Sequence, residues 1–131
     1  IASVMWFSRQ NATPCTYELH CYSPAIRSNG FLFVSGQVGS HKDGSPEPDL
    51  HDQVRRTFAN LNAILAEAGC SFEDVVDTTL FMVDPHAKFE TIWEVAADYW
   101  GEAPYPTVTA LGVTWLAGFD FEIKVIAKLP Q

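Results

Sequence analysis

Between Asp49 and Gly69 the apolar residues recur every three or four positions. That spacing places them on one stripe of an α-helix that packs against a core. The stripe consists of Val54, Phe58, Leu61, Leu65 and Ala68. Asp49 can cap the first turn, and Gly69 can end the helix in the left-handed conformation. The pattern therefore predicts a first helix over residues 49–69.

A second helical pattern follows Asp84-Pro85, a pair that suits the N-cap and the first position of a helix. Its apolar residues again recur at helical spacing: Phe89, Ile92, Val95, Ala96 and Tyr99. Gly101 can end this helix, and Pro104 and Pro106 prevent its continuation. We therefore predict a second amphipathic helix between Pro85 and Gly101.

Residues 31–34 form a short apolar run after the turn signal Asn29-Gly30. Such a run suits a strand that is buried on both faces, with a hairpin partner that includes Arg27. Residues 39–49, with their Gly, Ser, Pro and charged residues, predict a surface loop.

Three more strands are predicted further along the chain. Val75–Val83 is rich in β-branched residues. One face of this strand should carry Val76, Thr78, Leu80 and Met82. Thr107–Val113 and residues 119–129 finish the chain, and the last segment alternates apolar with polar residues.

The order of these elements predicts an α+β domain with two helices on one face of a mixed β-sheet. Residues 1–131 fit a single domain, in which residues 1–20 form a less defined N-terminal segment. No third helix is predicted to cover the other face of the sheet. Burial against other subunits is the simplest way to cover it.

Charge and cysteine content restrict the classes of binding partner and the cellular location that the sequence predicts. The chain carries 8 Lys and Arg against 16 Asp and Glu, and its net charge of −8 repels a phosphate backbone, which argues against nucleic acid. Three cysteines in a chain that can build its own core predict a reducing, cytoplasmic location. No apolar run reaches the roughly 20 residues of a membrane helix, so no membrane association is expected.

A metal site is the first chemistry to test, because several residues are potential ligands: Cys15, His20, Cys21, His41, His51 and His86. Structural zinc sites have paired ligands roughly two to four residues apart in two clusters, and no second cluster exists here. Ordinary thiols and surface imidazoles explain these residues better. We therefore expect no metal.

Ser35 and its neighbouring glycines do not form a known catalytic or phosphate-binding motif. Val34-Ser35-Gly36-Gln37 lacks the Gly-x-Ser-x-Gly pattern of a nucleophile elbow. Gly36 and Gly39 do not directly precede a helix and are not followed by a lysine, so neither a dinucleotide loop nor a P-loop is supported. No cofactor is expected.

Glu122 lies on the polar face of the last predicted strand. A carboxylate held at a sheet surface can orient water or take up a proton. The alternative is a solvated glutamate, or one paired with Lys124 or Lys128. Large aromatic residues likewise suit either the wall of a pocket or the core and a subunit interface: Trp93, Trp100, Tyr105 and Trp115.

Tyr22-Ser23-Pro24-Ala25, the turn at Asn29-Gly30 and the strand ending in Val34-Ser35-Gly36-Gln37 resemble the signature of the RidA/YjgF family. The resemblance continues in unbroken order through the first helix, the middle strand and the closing strand, over residues 21–129. Within the family, residues 112–124 are most similar to the YjgH branch.

This resemblance implies a chorismate-mutase-like α+β fold and a homotrimer whose sheets form an inner barrel. Three clefts between neighbouring subunits would each bind a small metabolite. Characterised deaminases of the family hydrolyse enamines or imines, such as 2-aminoacrylate, to a 2-oxo acid and ammonia without a cofactor. In these enzymes an arginine grips the substrate carboxylate, while a glutamate on the last strand and backbone groups position water.

Residue by residue, the resemblance makes Tyr22, Ser35 and Gly36 substrate-binding positions. It makes Glu122 the catalytic glutamate.

The substrate-gripping arginine does not carry over. Pro104-Tyr105-Pro106, followed by Thr107, stands where those deaminases have Pro-Ala-Arg. Trp93 stands at a helix position that is often asparagine in the family. Proline offers a carboxylate neither charge nor a hydrogen-bond donor, so deamination of small amino-acid enamines is in doubt. We expect Trp93, Tyr105, Pro106 and Thr107 to line the substrate site, and Arg27 is an alternative guanidinium if its side chain turns into the cleft.

Two functions stay open. In the first, Glu122 activates water against an imine, an enamine or a similar carbon–nitrogen substrate, one large or apolar enough to suit Trp93 and Tyr105. In the second, the same cleft binds a metabolite for sensing or regulation, and no bond is broken. Other family members are described as ribonucleases or holdase chaperones. The acidic charge argues against RNA, and a holdase needs exposed apolar surface.

Overall fold

The computed structural model describes residues 3–5 and 22–131, so most of the predicted N-terminal segment, residues 1–20, lies outside the described residues. Two α-helices occur within them, α1 (Leu50–Glu67) and α2 (Pro85–Trp100). The strands are β1 (Ser3–Met5), β2 (Ala25–Ser28), β3 (Phe31–Val38), β4 (Val75–Val83), β5 (Thr107–Val113) and β6 (Phe121–Lys128). A short 3-10 helix, Phe72–Asp74, connects α1 to β4.

The strands form one sheet in the order β1-β2-β3-β6-β4-β5. β4 and β5 run parallel, and the other neighbouring strands run antiparallel. Helix α1 packs on β3 and β6, while α2 packs on β4 and on α1. The prediction of an α+β domain with two helices on one face of a mixed sheet is confirmed.

The predicted helix ends agree with the structure except at Asp84. The Asp49 side chain accepts a hydrogen bond from the Asp52 backbone N–H at 3.1 Å, which caps α1. Gly69 follows α1 in the left-handed conformation, with φ of 77°. Pro85 is the first residue of α2, but Asp84 has φ of 51° and its side chain makes no capping hydrogen bond. The predicted capping role of Asp84 is therefore wrong. No helix of the described residues is long and apolar enough to cross a membrane.

The hairpin of β2 and β3 turns at Asn29-Gly30, as predicted. Both residues have positive φ, 51° and 82°, which is the backbone of a type I′ turn. This turn sets the register in which Arg27 pairs with Leu32 and Ala25 with Val34.

Two predictions about strand faces are wrong for the single chain. Leu32 and Val34 are buried, but Phe31 and Phe33 are 38% and 41% exposed, because α1 covers only one face of β3. In β4 the predicted inward residue Val76 is exposed and Val75 is buried instead. The register of β4 against β6 shifts between Val75 and Asp77, and this bulge turns Val76 outward.

No described residue packs over most of the sheet face opposite the helices. The strand registers place on that face a set of apolar side chains: Ile26, Phe31, Phe33, Phe81, Leu111, Val113 and Ile126. Several of them are substantially exposed, including Leu111 at 43%. An apolar surface of this extent is typical of an interface.

Replacing Thr78 with valine is expected to stabilise the fold. Thr78 is fully buried on the helix side of β4, and its hydroxyl has no hydrogen-bond partner within the described residues. Removing an unsatisfied buried hydroxyl should raise the free energy of unfolding by about 1 kcal/mol, measured by urea denaturation at fixed protein concentration. Thr57→Val is the matched control, because the buried Thr57 hydroxyl donates to the Gln53 carbonyl at 2.8 Å. Equal effects of the two substitutions would contradict the prediction.

Candidate functional site

A β-bulge at the centre of the sheet organises the site. Val34 pairs with Val125 and Gln37 pairs with Ile123, so two residues of β3, Ser35 and Gly36, stand opposite a single residue of β6. That single residue is Lys124. A bulge bends its strand and re-aims the side chains beside it, and bulges are frequent next to active sites.

Ser35 fixes the chain before β2 against the bulge. Its hydroxyl donates to the Ser23 carbonyl at 2.6 Å, and its backbone N–H donates to the Pro24 carbonyl at 2.9 Å. These bonds hold the Tyr22 segment over the uncovered face of the sheet. The result is a shallow depression lined by Tyr22, Ser23, Ile26, Phe33, Val34, Ser35 and Lys124. Of the predicted site residues, Tyr22 and Ser35 therefore lie together.

Gly36 and Glu122 form the second predicted pair that the structure brings together. A Cβ atom added to Gly36 would lie 2.5 Å from Oε2 and 2.6 Å from Cδ of Glu122. The Glu122 carboxyl group thus lies directly against the backbone of Gly36, and a side chain at position 36 would displace it. The two bulge residues therefore join two features on the same face of the sheet. Ser35 lines the depression with Tyr22, and the next residue, Gly36, lies against the Glu122 carboxyl group.

The Glu122 carboxyl group is partly buried and unpaired. Within residues 3–5 and 22–131, no hydrogen bond or ion pair joins it to another residue, and neither Lys124 nor Lys128 pairs with it. Burial raises the pKa of Glu122 above its ordinary value of 4.5, and no neighbouring charge contributes to the shift. A carboxyl group whose pKa is moved toward neutrality is better suited to accept and return a proton.

Glu122→Gln is expected to stabilise the protein increasingly as pH rises. Because burial raises the pKa of Glu122 above 4.5 in the folded state, the folded protein holds this proton more tightly than the unfolded chain. Ionisation therefore costs stability as pH rises from 4.5 through the folded pKa, and glutamine avoids this cost. Urea denaturation between about pH 4 and pH 7 should show a widening advantage of the variant. The exposed Glu73→Gln is the control, and a pH-independent difference for Glu122→Gln would contradict the prediction.

The remaining predicted site residues lie elsewhere in the chain. The Trp93 ring on α2 stacks on the Phe89 ring, with 6.1 Å between the ring centroids. It is tilted against the Trp100 ring, with 5.4 Å between the centroids. Tyr105 is 62% exposed in the segment that leads to β5. Pro106 precedes β5, and the Thr107 hydroxyl donates to Asp77 Oδ1 at 2.6 Å.

Glu122 and Thr107 do not meet within one chain. Glu122 pairs with Phe81, which pairs with Leu111, so Thr107 lies two strands away and four residues along β5. Standard strand spacings then separate the two Cα atoms by about 16 Å. A single small-molecule site that contains both residues therefore requires a second chain.

Arg27 does not enter the depression. It pairs with Leu32, so its side chain leaves the sheet on the helix side, whereas Ile26 and Phe33 point to the uncovered face. The Arg27 charge acts instead on the Cys70 thiol. It lowers the pKa of that thiol, but burial raises the pKa by more, so the net shift is upward. The sequence left the direction of Arg27 open, and the strand register decides it.

The described residues contain no cluster of three potential metal ligands. Cys15, His20 and Cys21 lie outside the described residues. His41, another residue considered as a ligand, pairs with Glu47 at 2.7 Å.

Sequence reasoning missed the place of Lys124 in the depression. It treated this lysine only as a partner for Glu122. Strand alternation puts Glu122 and Lys124 on the same face, which was visible in the sequence, but the bulge at Ser35 and Gly36 was not. The bulge is what places Lys124 beside Tyr22 and Ser35.

Comparisons with known proteins agree with this architecture. The family model described as endoribonuclease L-PSP matches residues 15–129. The RutC family protein YjgH of Escherichia coli (strain K12) is 59% identical over 115 residues, which cover 88% of this chain and 88% of that protein. A solved structure of protein YjgH has a TM-score of 0.84 and 59% identity, covering 88% of this chain and 89% of that chain.

A second relative carries a functional description. The putative reactive intermediate deaminase TdcF of Escherichia coli (strain K12) is 33% identical over 110 residues, covering 81% of this chain and 84% of that protein. The crystal structure of E. coli TdcF with bound serine has a TM-score of 0.76 and 31% identity, covering 83% of this chain and 88% of that chain.

Proposed function

Because this chain belongs to the endoribonuclease L-PSP family, also called RidA/YjgF, we propose that it hydrolyses the carbon–nitrogen bond of an imine or enamine. The reaction takes place in a cleft between the subunits of a homotrimer. Water adds to the imine carbon, the carbon–nitrogen bond breaks, and ammonia leaves while the carbon becomes a carbonyl group. No cofactor takes part.

Glu122 is the catalytic residue of this proposal. Its carboxyl group is partly buried against Gly36 and carries no salt bridge to another described residue, so no fixed cation holds it in the ionised form. It accepts a proton from the attacking water and returns one to the departing nitrogen. This single unpaired carboxyl group carries the proposal. Ammonia release by wild type and by Glu122→Gln tests it.

The homotrimer is supported by one observation and by one consequence of placing Thr107 in the same site as Glu122. The sheet face opposite the helices carries exposed apolar side chains that no described residue covers, and burial against a neighbouring copy removes them from water. Glu122 and Thr107 are about 16 Å apart within one chain, so they can share a cleft only if they come from different chains. A head-to-tail interface that closes into a ring satisfies both requirements.

The purified protein is expected to be a trimer of the 14.5 kDa chain. Burial of the apolar sheet face should keep it associated at micromolar concentration, because exposing that face again costs hydrophobic free energy. Light scattering coupled to size exclusion measures the mass directly. A charged residue in the middle of the face, introduced by Phe33→Asp, should dissociate it. A stable monomer of the wild-type protein would contradict the proposal.

The proposed substrate differs in size or polarity from the small enamines that characterised deaminases of the family hydrolyse. TdcF has been crystallised with serine, which supports an amino-acid-sized ligand for the family fold. In this chain Pro106 stands where the resemblance expects the arginine that grips a carboxylate, and we expect Trp93 and Tyr105 to add apolar surface to the cleft. We therefore infer a substrate that is larger or more apolar than 2-aminoacrylate.

A binding role without catalysis is the alternative. The same cleft would then hold a metabolite and report its presence. The charge of the chain argues against the ribonuclease activity that the family's description names, because 8 basic residues against 16 acidic ones oppose contact with an RNA backbone.

A further inference from the structure

A buried glutamine of α1 reaches the start of the strand that carries Glu122. Gln53 is only 2% exposed, and both polar atoms of its side chain form hydrogen bonds. Its Oε1 accepts from the Asp120 backbone N–H at 2.8 Å, and its Nε2 donates to the Glu47 carbonyl at 2.9 Å. A buried amide costs free energy unless its polar atoms are bonded, so these two bonds fix the orientation of the side chain.

The backbone of Gln53 lies equally close to the end of β3. A Cβ atom added to Gly39 would lie 2.2 Å from the Gln53 carbonyl oxygen, so a side chain at position 39 would push the helix away from the strand. Gly39 directly follows Val38, which pairs with Glu122 across the sheet. Gln53 therefore contacts the end of β3 next to this pair and the chain two residues before Glu122.

We propose that Gln53 is a positioning residue, which holds the ends of β3 and β6 together so that the Glu122 carboxyl group stays against Gly36. The inference rests on the proposed function, because it concerns how the proposed catalytic group is placed. Gln53 acts through Glu122 and does not touch the substrate.

The β-bulge makes this placement depend on the strand ends. Beyond the bulge, two residue pairs join β3 to β6, Gln37 with Ile123 and Val38 with Glu122. So short a stretch of pairing can shift unless another element holds it. The contacts of Gln53 supply that support from the helix side of the sheet, away from the face that the proposed trimer buries.

The charges around Glu122 leave burial as the main influence on its proton affinity. The residues paired with it across the sheet, Val38 and Phe81, are uncharged. Within the described part of the chain Lys124 forms no ion pair with it, and the Asp120 carboxylate is already paired with a lysine of α2 at 2.6 Å. Loosening the strand ends would admit water to the carboxyl group, so its pKa should then fall toward the ordinary value of 4.5.

Gln53→Met tests the inference, because it keeps the length of the side chain and removes both hydrogen bonds. The pKa of Glu122 is measured by carbon NMR of the trimeric protein with labelled glutamate carboxyl groups, and the signal is assigned by its loss in Glu122→Gln. In Gln53→Met this pKa should be lower than in wild type. Thr57→Val is the matched control, since Thr57 is equally buried on α1 but its hydroxyl donates within the helix, to the Gln53 carbonyl. It should leave the pKa of Glu122 unchanged.

Ammonia release gives a second readout. Gln53→Met should lower kcat roughly 10- to 100-fold and leave KM nearly unchanged, since a displaced catalytic group impairs the chemical step. In a Glu122→Gln background the same substitution should have little further effect, because two residues that act through one group are not additive.

The inference is overturned if a trimeric Gln53→Met keeps the wild-type pKa of Glu122, if Thr57→Val lowers this pKa equally, or if Gln53→Met lowers kcat as much without Glu122 as with it. Gln53→Asn keeps the amide but is one methylene shorter, and it replaces Gln53→Met if that variant does not assemble. Failure of both to form trimers also overturns the inference, because Gln53 would then be required for the fold itself. A lowered pKa together with turnover that survives Glu122→Gln would support the positioning role and refute the catalytic role of Glu122, so the two proposals fail separately.

Discussion

Replacing Glu122 with glutamine is expected to lower imine or enamine hydrolysis by about 100-fold or more, the range for loss of a positioned acid or base. Glutamine keeps the shape of the side chain against Gly36 but can neither accept nor return a proton. Imines are generated in the assay from apolar amino acids by an amino-acid oxidase, and ammonia release is followed. The loss should appear in kcat, since a group that transfers protons acts in the chemical step.

The control for this prediction is Glu73→Gln, an exposed glutamate in the 3-10 helix before β4. It should leave kcat unchanged. Light scattering must show that Glu122→Gln is still a trimer. Wild-type turnover by a folded, trimeric Glu122→Gln would leave Glu122 without a catalytic role and would favour the binding function.

Introducing an arginine at position 106 is expected to raise activity on 2-aminoacrylate. This substrate is small, and its carboxylate enters the β5 side of the cleft where Pro106 offers no donor. Wild type should therefore hydrolyse it poorly, because the cost of desolvating the carboxylate is not offset there. A charge-assisted bidentate pair from Pro106→Arg should increase kcat/KM by roughly 10- to 150-fold.

The family resemblance predicts that Tyr105 and Trp93 line the cleft near position 106, where we expect them to limit the reach of a new arginine. The double variant Pro106→Arg with Trp93→Asn removes the larger obstacle and should be at least as active as Pro106→Arg alone. Ammonia release from enzymatically generated 2-aminoacrylate measures all three proteins, each checked for its trimeric mass. Robust wild-type activity on 2-aminoacrylate would contradict the prediction, because the cleft would then handle a carboxylate without an arginine at position 106.

The sequence predicted the elements of the fold because their periodicity is strong. The α1 stripe repeats every three or four residues, and β6 alternates strictly, so helix and strand could be told apart. The prediction of which residues face the core failed where one extra residue interrupts the alternation of a strand. The bulge at β4 moved Val76 outward and Val75 inward, and no local pattern signals such a register shift.

The site was predictable only in part, for the same reason. Ser35, Gly36 and Glu122 were identified from a resemblance, and the contact between Gly36 and Glu122 became visible only with the register of β3 and β6. The direction of Arg27 depends on a cross-strand pair, and the place of Lys124 beside Tyr22 and Ser35 depends on a bulge. Residues whose partners lie on other strands cannot be placed by reading one segment at a time.

The most direct test of a site shared between subunits is the activity of mixed trimers. Glu122→Gln removes the proposed acid–base group from one side of the cleft. Pro106→Asp places a carboxylate on the other side, where it repels an anionic substrate. Each variant alone should be nearly inactive as a homotrimer. The two chains are co-expressed with different affinity tags, and trimers that carry both tags are purified.

In a ring of three head-to-tail clefts, every mixed trimer contains one cleft built from an intact Glu122 and an intact Pro106 of the neighbouring chain. The account therefore predicts that doubly tagged trimers recover about a third of wild-type ammonia release. Activity no higher than that of the two parent homotrimers would contradict it, because Glu122 and the β5 residues would then act within one chain or not at all.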